Sequence, residues 1–162
     1  MSLLRQKKIL LISPQGWHKV KVSKHHYASS LAGLGNQVYF LNPPGTSKLN
    51  FTTEQVQDGI TVVSYRPFFN LDLRFRFGYI YRLLMLRQIS ILKRKLGAAF
   101  DIVWCFDPNL YPDLAAFGAP LKIFHPVDVF LCSYAKRVAK SSDVLFSVSP
   151  TILNYFKGLN KP

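Results

Sequence analysis

Apolar residues fall into six short segments along the chain, and each segment is followed within two residues by a proline. The segments cover residues 9–13, 37–41, 60–65, 101–106, 121–125 and 143–148. Within them the apolar residues are mostly consecutive and do not alternate with polar ones. This pattern is typical of parallel strands that are buried on both faces.

Segments with helical features separate the predicted strands, at residues 23–34, 79–96, 131–140 and 151–157. Alternating strands and helices predict an α/β fold: a Rossmann-like, doubly wound, mostly parallel open sheet of about six strands, with helices on both faces. Residues 45–59 are interpreted as a surface loop, with a short hairpin as the alternative.

Two residues are interpreted as helix boundaries. Ser23 carries a side-chain oxygen that suits the start of the first helix. Gly97 follows residues 79–96, which contain no Pro or Gly, and is expected to end that long helix. An apolar stripe on this helix is expected to face the sheet. The stripe consists of Met85, Ile89, Leu92 and Leu96.

The length and composition indicate one folded domain, which we expect to cover residues 1–162. Hydrophobic residues make up 49% of the chain and charged residues 18%, which excludes intrinsic disorder for most of it. Cys105 and Cys132 lie in apolar surroundings and are expected to be buried, reduced thiols. No signal peptide or membrane-spanning segment is recognised, so the predicted location is the cytoplasm.

Basic residues are concentrated in one part of the chain. The formal net charge is +13, and residues 66–95 contain 8 basic residues and 1 acidic residue. Ile80, Leu84 and Ile91 form a second apolar stripe on the long helix, with basic residues beside it. Such a surface suits peripheral binding to the anionic inner face of a cell membrane. The residues predicted to face the membrane are Arg74, Arg76, Arg82, Arg87 and Arg94.

Two other interpretations fit the same basic segment. A buried helix at 79–96 can extend its Arg and Lys side chains along its own surface into water. The alternation of Phe and Arg at 73–77 also resembles single-stranded nucleic-acid binding. Because the chain lacks repeated strand-borne aromatic residues of the kind that bind RNA, no nucleic-acid partner is predicted.

Several common kinds of site are missing from the sequence. The turn after the first predicted strand lacks GxGxxG, and no acidic residue ends the second, which argues against a nicotinamide dehydrogenase. Neither a P-loop nor a GxSxG nucleophile motif is present. His18, His25 and His26 have no Cys or carboxylate at metal-ligand spacing, so no metal site is predicted.

Polar residues follow several of the predicted strands, and the carboxyl ends of parallel strands share one edge of the sheet. His125 suits a hydrogen-bond donor or general base, with capping of its strand as the alternative. Asp128 suits a reactive carboxylate or a helix cap. His25 and His26 begin a helix, and at most one of them faces the cleft. The other predicted substrate-binding residues are Gly16, Trp17, Asp107 and Asn109.

The order of several motifs resembles the N-terminal half of family 4-like glycosyltransferases of the GT-B fold, of the bacterial cell-surface polysaccharide type. The motifs are KKILLIS at 7–13, SKHH at 23–26, QVYFLNPP at 37–44, DIVW with DP at 101–108, and DVLFSVSP at 143–150. The resemblance covers about residues 7–157.

The resemblance implies the acceptor-side domain of an enzyme that transfers a sugar from a nucleotide-sugar to a cell-surface polysaccharide or lipid-linked acceptor. It places His125 at the position of a histidine that contacts the donor sugar, with Asp128 as the alternative reactive group, and Gly16 near the donor phosphate or acceptor. It implies no metal or cofactor. The nucleotide-sugar domain is expected outside this chain, and the fragment alone is expected to be inactive.

A non-catalytic protein is the alternative. In that interpretation the chain is a flavodoxin-like binding module that recruits an anionic partner through the basic helix at 79–96.

Overall fold

The computed structural model describes residues 4–45, 50–128, 133–159 and 161–162. Its strands are β1 (Lys8–Ile12), β2 (Gln37–Leu41), β3 (Phe51–Gln57), β4 (Ile60–Tyr65), β5 (Ile102–Cys105), β6 (Leu121–Phe124) and β7 (Val144–Leu145). Its α-helices are α1 (Ser23–Gly33), α2 (Leu73–Arg76), α3 (Gly78–Leu96), α4 (Ser133–Ser141) and α5 (Pro150–Tyr155). Two short 3₁₀ helices cover Leu114–Phe117 and Lys157–Leu159.

The strands form one sheet in the order β3-β4-β2-β1-β5-β6-β7. Each neighbouring pair is parallel except β3 and β4, which are antiparallel. The predicted α/β, doubly wound, mostly parallel fold is therefore confirmed.

The sheet has seven strands in the part of the chain that the structure describes, one more than predicted. The additional strand is β3, which forms the hairpin that was the alternative to a loop at 45–59. The turn contains Asp58–Gly59, a pair that favours hairpins, and Gly59 has the left-handed φ of 76° that such a turn requires. Its Cβ would lie 2.9 Å from the Asn36 carbonyl oxygen, which also favours glycine.

Helices cover both faces of the sheet because successive strand residues point to opposite sides. Ile9 and Leu11 of β1 pack on the α1 side, against residues such as Ala28 and Leu31. Leu10 and Ile12 face the larger cluster, which includes residues of α3, α4 and α5. Both faces of β1 are thus buried, which explains its run of consecutive apolar residues.

The long helix α3 packs as its apolar stripe predicts. Met85, Ile89 and Leu92 are buried in the core, and Leu96 packs partly buried against it. The helix ends at Gly97, which has the left-handed φ of 58°, as expected.

Some predicted boundaries are wrong. Val22, not Ser23, precedes α1 with an extended backbone, and its N–H donates to Nδ1 of His25 at 3.1 Å. The imidazole therefore accepts from the residue before the helix, and no serine side chain caps the first turn. The sixth predicted strand is reduced to the two residues of β7. Cys105 is buried and free, whereas Cys132 lies outside the described residues.

Polar side chains at the amino ends of the strands align the sheet. Asp101 accepts a hydrogen bond from the Lys8 N–H at 2.8 Å, and Asp143 accepts one from the Lys122 N–H at 2.8 Å. Asn36 accepts one from the Lys7 N–H at 3.0 Å. These groups satisfy N–H donors where the strands begin. The opposite edge, at the carboxyl ends of the strands, is where functional side chains are expected.

We predict opposite effects for two glycine-to-alanine substitutions. Gly97→Ala should lower the free energy of unfolding by about 1 kcal/mol, because alanine is strained at a φ of 58° although nothing lies within 4 Å of the new Cβ. Gly33→Ala, in α1 and equally uncrowded, should raise it by about 0.5–1 kcal/mol. Urea unfolding of both variants measures the difference. Equal shifts would contradict these backbone assignments.

Candidate functional site

The polar residues after β1, β5 and β6 lie at one edge because the parallel ladder continues one residue beyond each strand. The Phe106 N–H donates to the Ile12 carbonyl at 2.9 Å, and the His125 N–H donates to the Cys105 carbonyl at 2.8 Å. Ser13, Phe106 and His125 therefore stand at matching positions, at the carboxyl end of the sheet where α/β proteins bind ligands.

Lys24 supplies a buried positive charge to this edge. It lies in the first turn of α1 and is only 5% exposed. Its Nζ donates to Oε1 of Gln15, in the loop after β1, at 3.0 Å. Burial lowers the pKa of Lys24, and the negative charges of Asp128 and Asp107 oppose this shift. An ammonium group near two carboxyl groups can donate hydrogen bonds to hydroxyl oxygens.

The sequence analysis did not select Lys24. The residue belongs to the SKHH motif at 23–26, in which only the two histidines were predicted to bind substrate. Its signal was its position in the first turn of a helix that begins just after a strand-end loop. The charges that act on its ammonium group come from Asp107 and Asp128, which follow β5 and β6, and sequence spacing does not show that they lie near it.

His125 is buried among aromatic rings at the end of β6. It is 1% exposed, and its ring centroid lies 4.6 Å from those of Phe106 and Phe146 and 5.5 Å from that of Tyr27. Burial, with a smaller contribution from the Lys24 charge, lowers its pKa to about 4. The imidazole is therefore neutral near pH 7. Nδ1 is buried and has no hydrogen-bond partner among the residues described.

Asp107 is a buried carboxylate that fixes the loop after β5. Its Oδ1 accepts the Asn109 N–H at 2.8 Å. Burial raises its pKa, while the N–H groups of Asn109 and Leu110 and the charges of Arg74 and Lys24 lower it. Asp107 thus both holds the loop after β5 and acts electrostatically on Lys24. Asn109 is exposed.

A second group of predicted residues surrounds the start of α1. The rings of Trp17 and Phe40 lie 5.1 Å and 5.2 Å from the His25 ring, which is 2% exposed. The His26 side chain is exposed, so only one of the paired histidines packs inward. Gly16 is buried, and its carbonyl accepts the Lys19 N–H at 3.1 Å.

Asn42 positions this second group and was also missed. Its Oδ1 accepts the Trp17 N–H at 2.8 Å, and its Nδ2 donates to the Ser64 hydroxyl at 2.8 Å. The amide therefore ties the loop after β1 to β4. In the sequence, only its position directly after the second predicted strand marks it as a candidate.

The structure thus brings Asp107, His125 and Asp128 together around Lys24, with the Trp17–His25 group beside the same loop. The exposed carboxylate of Asp128 is the most accessible of these groups. The described ranges contain no cluster of three or more His, Cys, Asp or Glu residues able to hold a metal ion. One cation, two carboxyl groups and a neutral imidazole together suit hydrogen bonding to a polyhydroxylated molecule.

The basic segment presents a mixed apolar and cationic surface. Arg76, Arg82, Arg87 and Arg94 are exposed. Arg74 differs, because it is half-buried, its Nε is buried, and its charge acts on Asp107. Its guanidinium nevertheless lies over the exposed ring of Phe75, 4.6 Å from the ring centroid, so Arg74 lies only partly on the surface where we predicted it. Apolar residues exposed beside these arginines are Phe75, Phe77, Tyr79, Ile80, Leu83 and Leu86. No helix within the described residues is both long and apolar enough to cross a membrane.

Comparison with known proteins gives matches only among solved structures, since no protein-family model and no curated protein matches. The trehalose-6-phosphate synthase of Escherichia coli, solved with UDP-2-fluoro glucose, matches with a TM-score of 0.60 and 14% identity, over 94% of this chain and 42% of that one. The UDP-forming α,α-trehalose-phosphate synthase of Burkholderia vietnamiensis matches with a TM-score of 0.56 and 13% identity, over 93% of this chain and 42% of that one. The chain therefore has a GT-B-like fold and spans less than half the length of these proteins.

Mild acid is expected to weaken the fold through His125. Its folded pKa of about 4 lies below the ordinary value of 6.5, so the unfolded chain binds a proton that the folded chain does not. The free energy of unfolding should fall by up to about 1.4 kcal/mol per unit as pH drops from 6.5 toward 4, with no such loss above 6.5. Urea unfolding across this pH range compares the wild type with His125→Asn.

The His125→Asn variant should show a shallower pH slope than the wild type. His26→Asn is the control for loss of an imidazole at an exposed position. Equal slopes in the wild type and His125→Asn would contradict the buried, neutral imidazole.

Proposed function

We propose that this chain is the acceptor-side domain of a GT-B glycosyltransferase. The complete enzyme transfers a sugar from a nucleotide-sugar to a cell-surface polysaccharide or lipid-linked acceptor. The observation that carries the proposal is the charged group of Lys24, Asp107 and Asp128 at the carboxyl edge of a GT-B-like sheet. In this proposal a second domain supplies the opposite wall of the cleft and most contacts to the nucleotide.

The proposed chemistry assigns each group one role. The bond between the anomeric carbon and the diphosphate oxygen breaks, and the diphosphate leaves with the electron pair. The acceptor hydroxyl oxygen forms the new bond to the anomeric carbon and gives its proton to the exposed carboxylate of Asp128. Lys24 and Asp107 orient acceptor hydroxyls. The neutral imidazole of His125 hydrogen-bonds the donor sugar.

The proposal also includes peripheral binding to an anionic membrane, where a lipid-linked acceptor is found. Support comes from α2 and α3, where Phe75 is 73% exposed and Tyr79 is 75% exposed beside the arginines. Exposed aromatic rings enter the interfacial region of a bilayer, while arginines attract its anionic headgroups. This surface keeps the protein close to such an acceptor.

Sugar transfer is tested with the complete protein that contains these 162 residues. The assay supplies a panel of labelled nucleotide-sugars and membrane extract, and measures label in the lipid and polysaccharide fractions. Lys24→Met and Asp107→Asn should each reduce transfer on the order of 100-fold, because misplaced acceptor hydroxyls lose their alignment. Lys21→Met, at an exposed position, is the matched control and should keep full activity.

Thermal unfolding of each variant identifies any that fails to fold. Transfer from no nucleotide-sugar, or a folded Lys24→Met that is as active as the control, would overturn the proposal. Membrane or partner binding without transfer would favour the non-catalytic binding module.

Membrane binding is tested by sedimentation with vesicles. Binding to phosphatidylglycerol-containing vesicles should greatly exceed binding to pure phosphatidylcholine vesicles. The triple variant Arg82→Glu, Arg87→Glu, Arg94→Glu should weaken partitioning on the order of 100-fold, at about 1 kcal/mol for each cation near the surface. The control with the same charge change is Lys19→Glu, Lys21→Glu, Lys157→Glu. Equal losses in the two variants, or equal binding to both vesicle types, would refute membrane binding through α3.

A further inference from the structure

A cavity of about 630 Å³ lies between the start of α3, the loop before the Leu114–Phe117 3₁₀ helix, and the end of α4. It lies apart from Lys24 and His125, and nothing in the proposed reaction uses it. Among the residues that line it are Tyr79, Arg82, Asp113, Arg137 and Lys140. Three of these five side chains are cationic and one is acidic.

The only carboxylate among these five residues is already engaged. Asp113 Oδ2 lies 3.6 Å from a guanidinium nitrogen of Arg82, and its Oδ1 accepts the Ala115 N–H at 3.0 Å. Arg137 lies over the Tyr134 ring at 5.7 Å, and within the described part of the chain neither it nor Lys140 forms an ion pair. The cavity therefore has an excess of positive charge, which favours an anionic ligand.

The charged hydrogen-bond donors of the cavity are its Arg and Lys side chains. The Ser141 hydroxyl, which also lines the cavity, accepts the Leu114 N–H at 2.9 Å and donates to the Val138 carbonyl at 2.8 Å. Arg137 and Lys140 are exposed and carry donors suited to phosphate oxygens.

The position of the cavity indicates the source of the anion. Tyr79 lines the cavity and also belongs to the exposed apolar surface, where it is 75% exposed beside Ile80 and Leu83. An anion site that opens next to exposed aromatic and aliphatic side chains matches a phospholipid, whose phosphate lies just above its acyl chains. A free phosphate would gain nothing from the apolar neighbours.

We propose that this cavity binds the phosphodiester headgroup of an anionic phospholipid, with Arg137 and Lys140 as direct donors and Arg82 held in place by Asp113. The proposal rests on the membrane binding in the proposed function and adds to it a defined headgroup site. It also adds α4 to the membrane-facing surface, through two residues that the basic 66–95 segment does not include.

The decisive probe is dihexanoyl-phosphatidylglycerol below its micelle concentration, titrated into the chain by NMR. The variant Arg137→Gln, Lys140→Gln should bind it about tenfold more weakly or worse, because charge-assisted hydrogen bonds are lost. Lys19→Gln, Lys21→Gln has the same change in charge at exposed positions away from the cavity lining, and should bind it like the wild type. Inorganic phosphate, titrated in parallel, should bind more weakly than the lipid.

Phosphatidylglycerol vesicles, tested with the same variants, separate this proposal from the membrane proposal. The headgroup site would be overturned, and membrane binding left intact, by either of two results. The wild type could bind vesicles without binding the short-chain lipid, or both variants could lose affinity for that lipid equally. Failure of the wild type to bind vesicles would overturn both. Inorganic phosphate binding as tightly as the lipid would overturn the phospholipid as ligand.

Discussion

Parallel pairing of β1 with β2 on one side and β5 on the other is the constraint on which the other features depend. Both faces of β1 are covered from Ile9 to Ile12, so these residues are all apolar, and the next polar residue is Ser13, where the strand has ended. The same holds for β5, whose last residue, Cys105, is fully buried. Because the strands run in one direction, their first polar residues arrive at one edge. Lys24, Asp107 and His125 lie near that edge, although no sequence motif links them.

The charge balance at this edge follows from its burial. Lys24 is stable as a buried cation because Gln15 accepts its hydrogen bond and two carboxylates lie near it. A buried charge without such partners costs several kcal/mol. The same burial keeps His125 neutral, and it also raises the pKa of Asp107. The edge therefore carries one ammonium group and one neutral imidazole close to two carboxyl groups. This combination is the basis of the proposed sugar binding.

The fold was largely predictable from the sequence, and the site was only partly so. Runs of apolar residues identify the buried parallel strands because burial on both faces leaves few alternatives. The edge hairpin of β3 is only an alternative in the sequence, since its mostly exposed residues 52–57 lack an apolar pattern and only Asp58–Gly59 marks the turn. Lys24 and Asn42 were missed because their roles depend on neighbours from distant strands. Arg74 is half-buried and its charge acts on Asp107, although its local sequence matches that of the exposed arginines.

A structure of the complete protein with UDP and a sugar acceptor bound tests the central claim most directly. The account predicts the diphosphate facing the edge that holds Ser13 and His125, with an acceptor hydroxyl within hydrogen-bond distance of Lys24 or Asp107. An acceptor bound away from this edge, with Lys24 still enclosed by Gln15 and the two carboxylates, would contradict it.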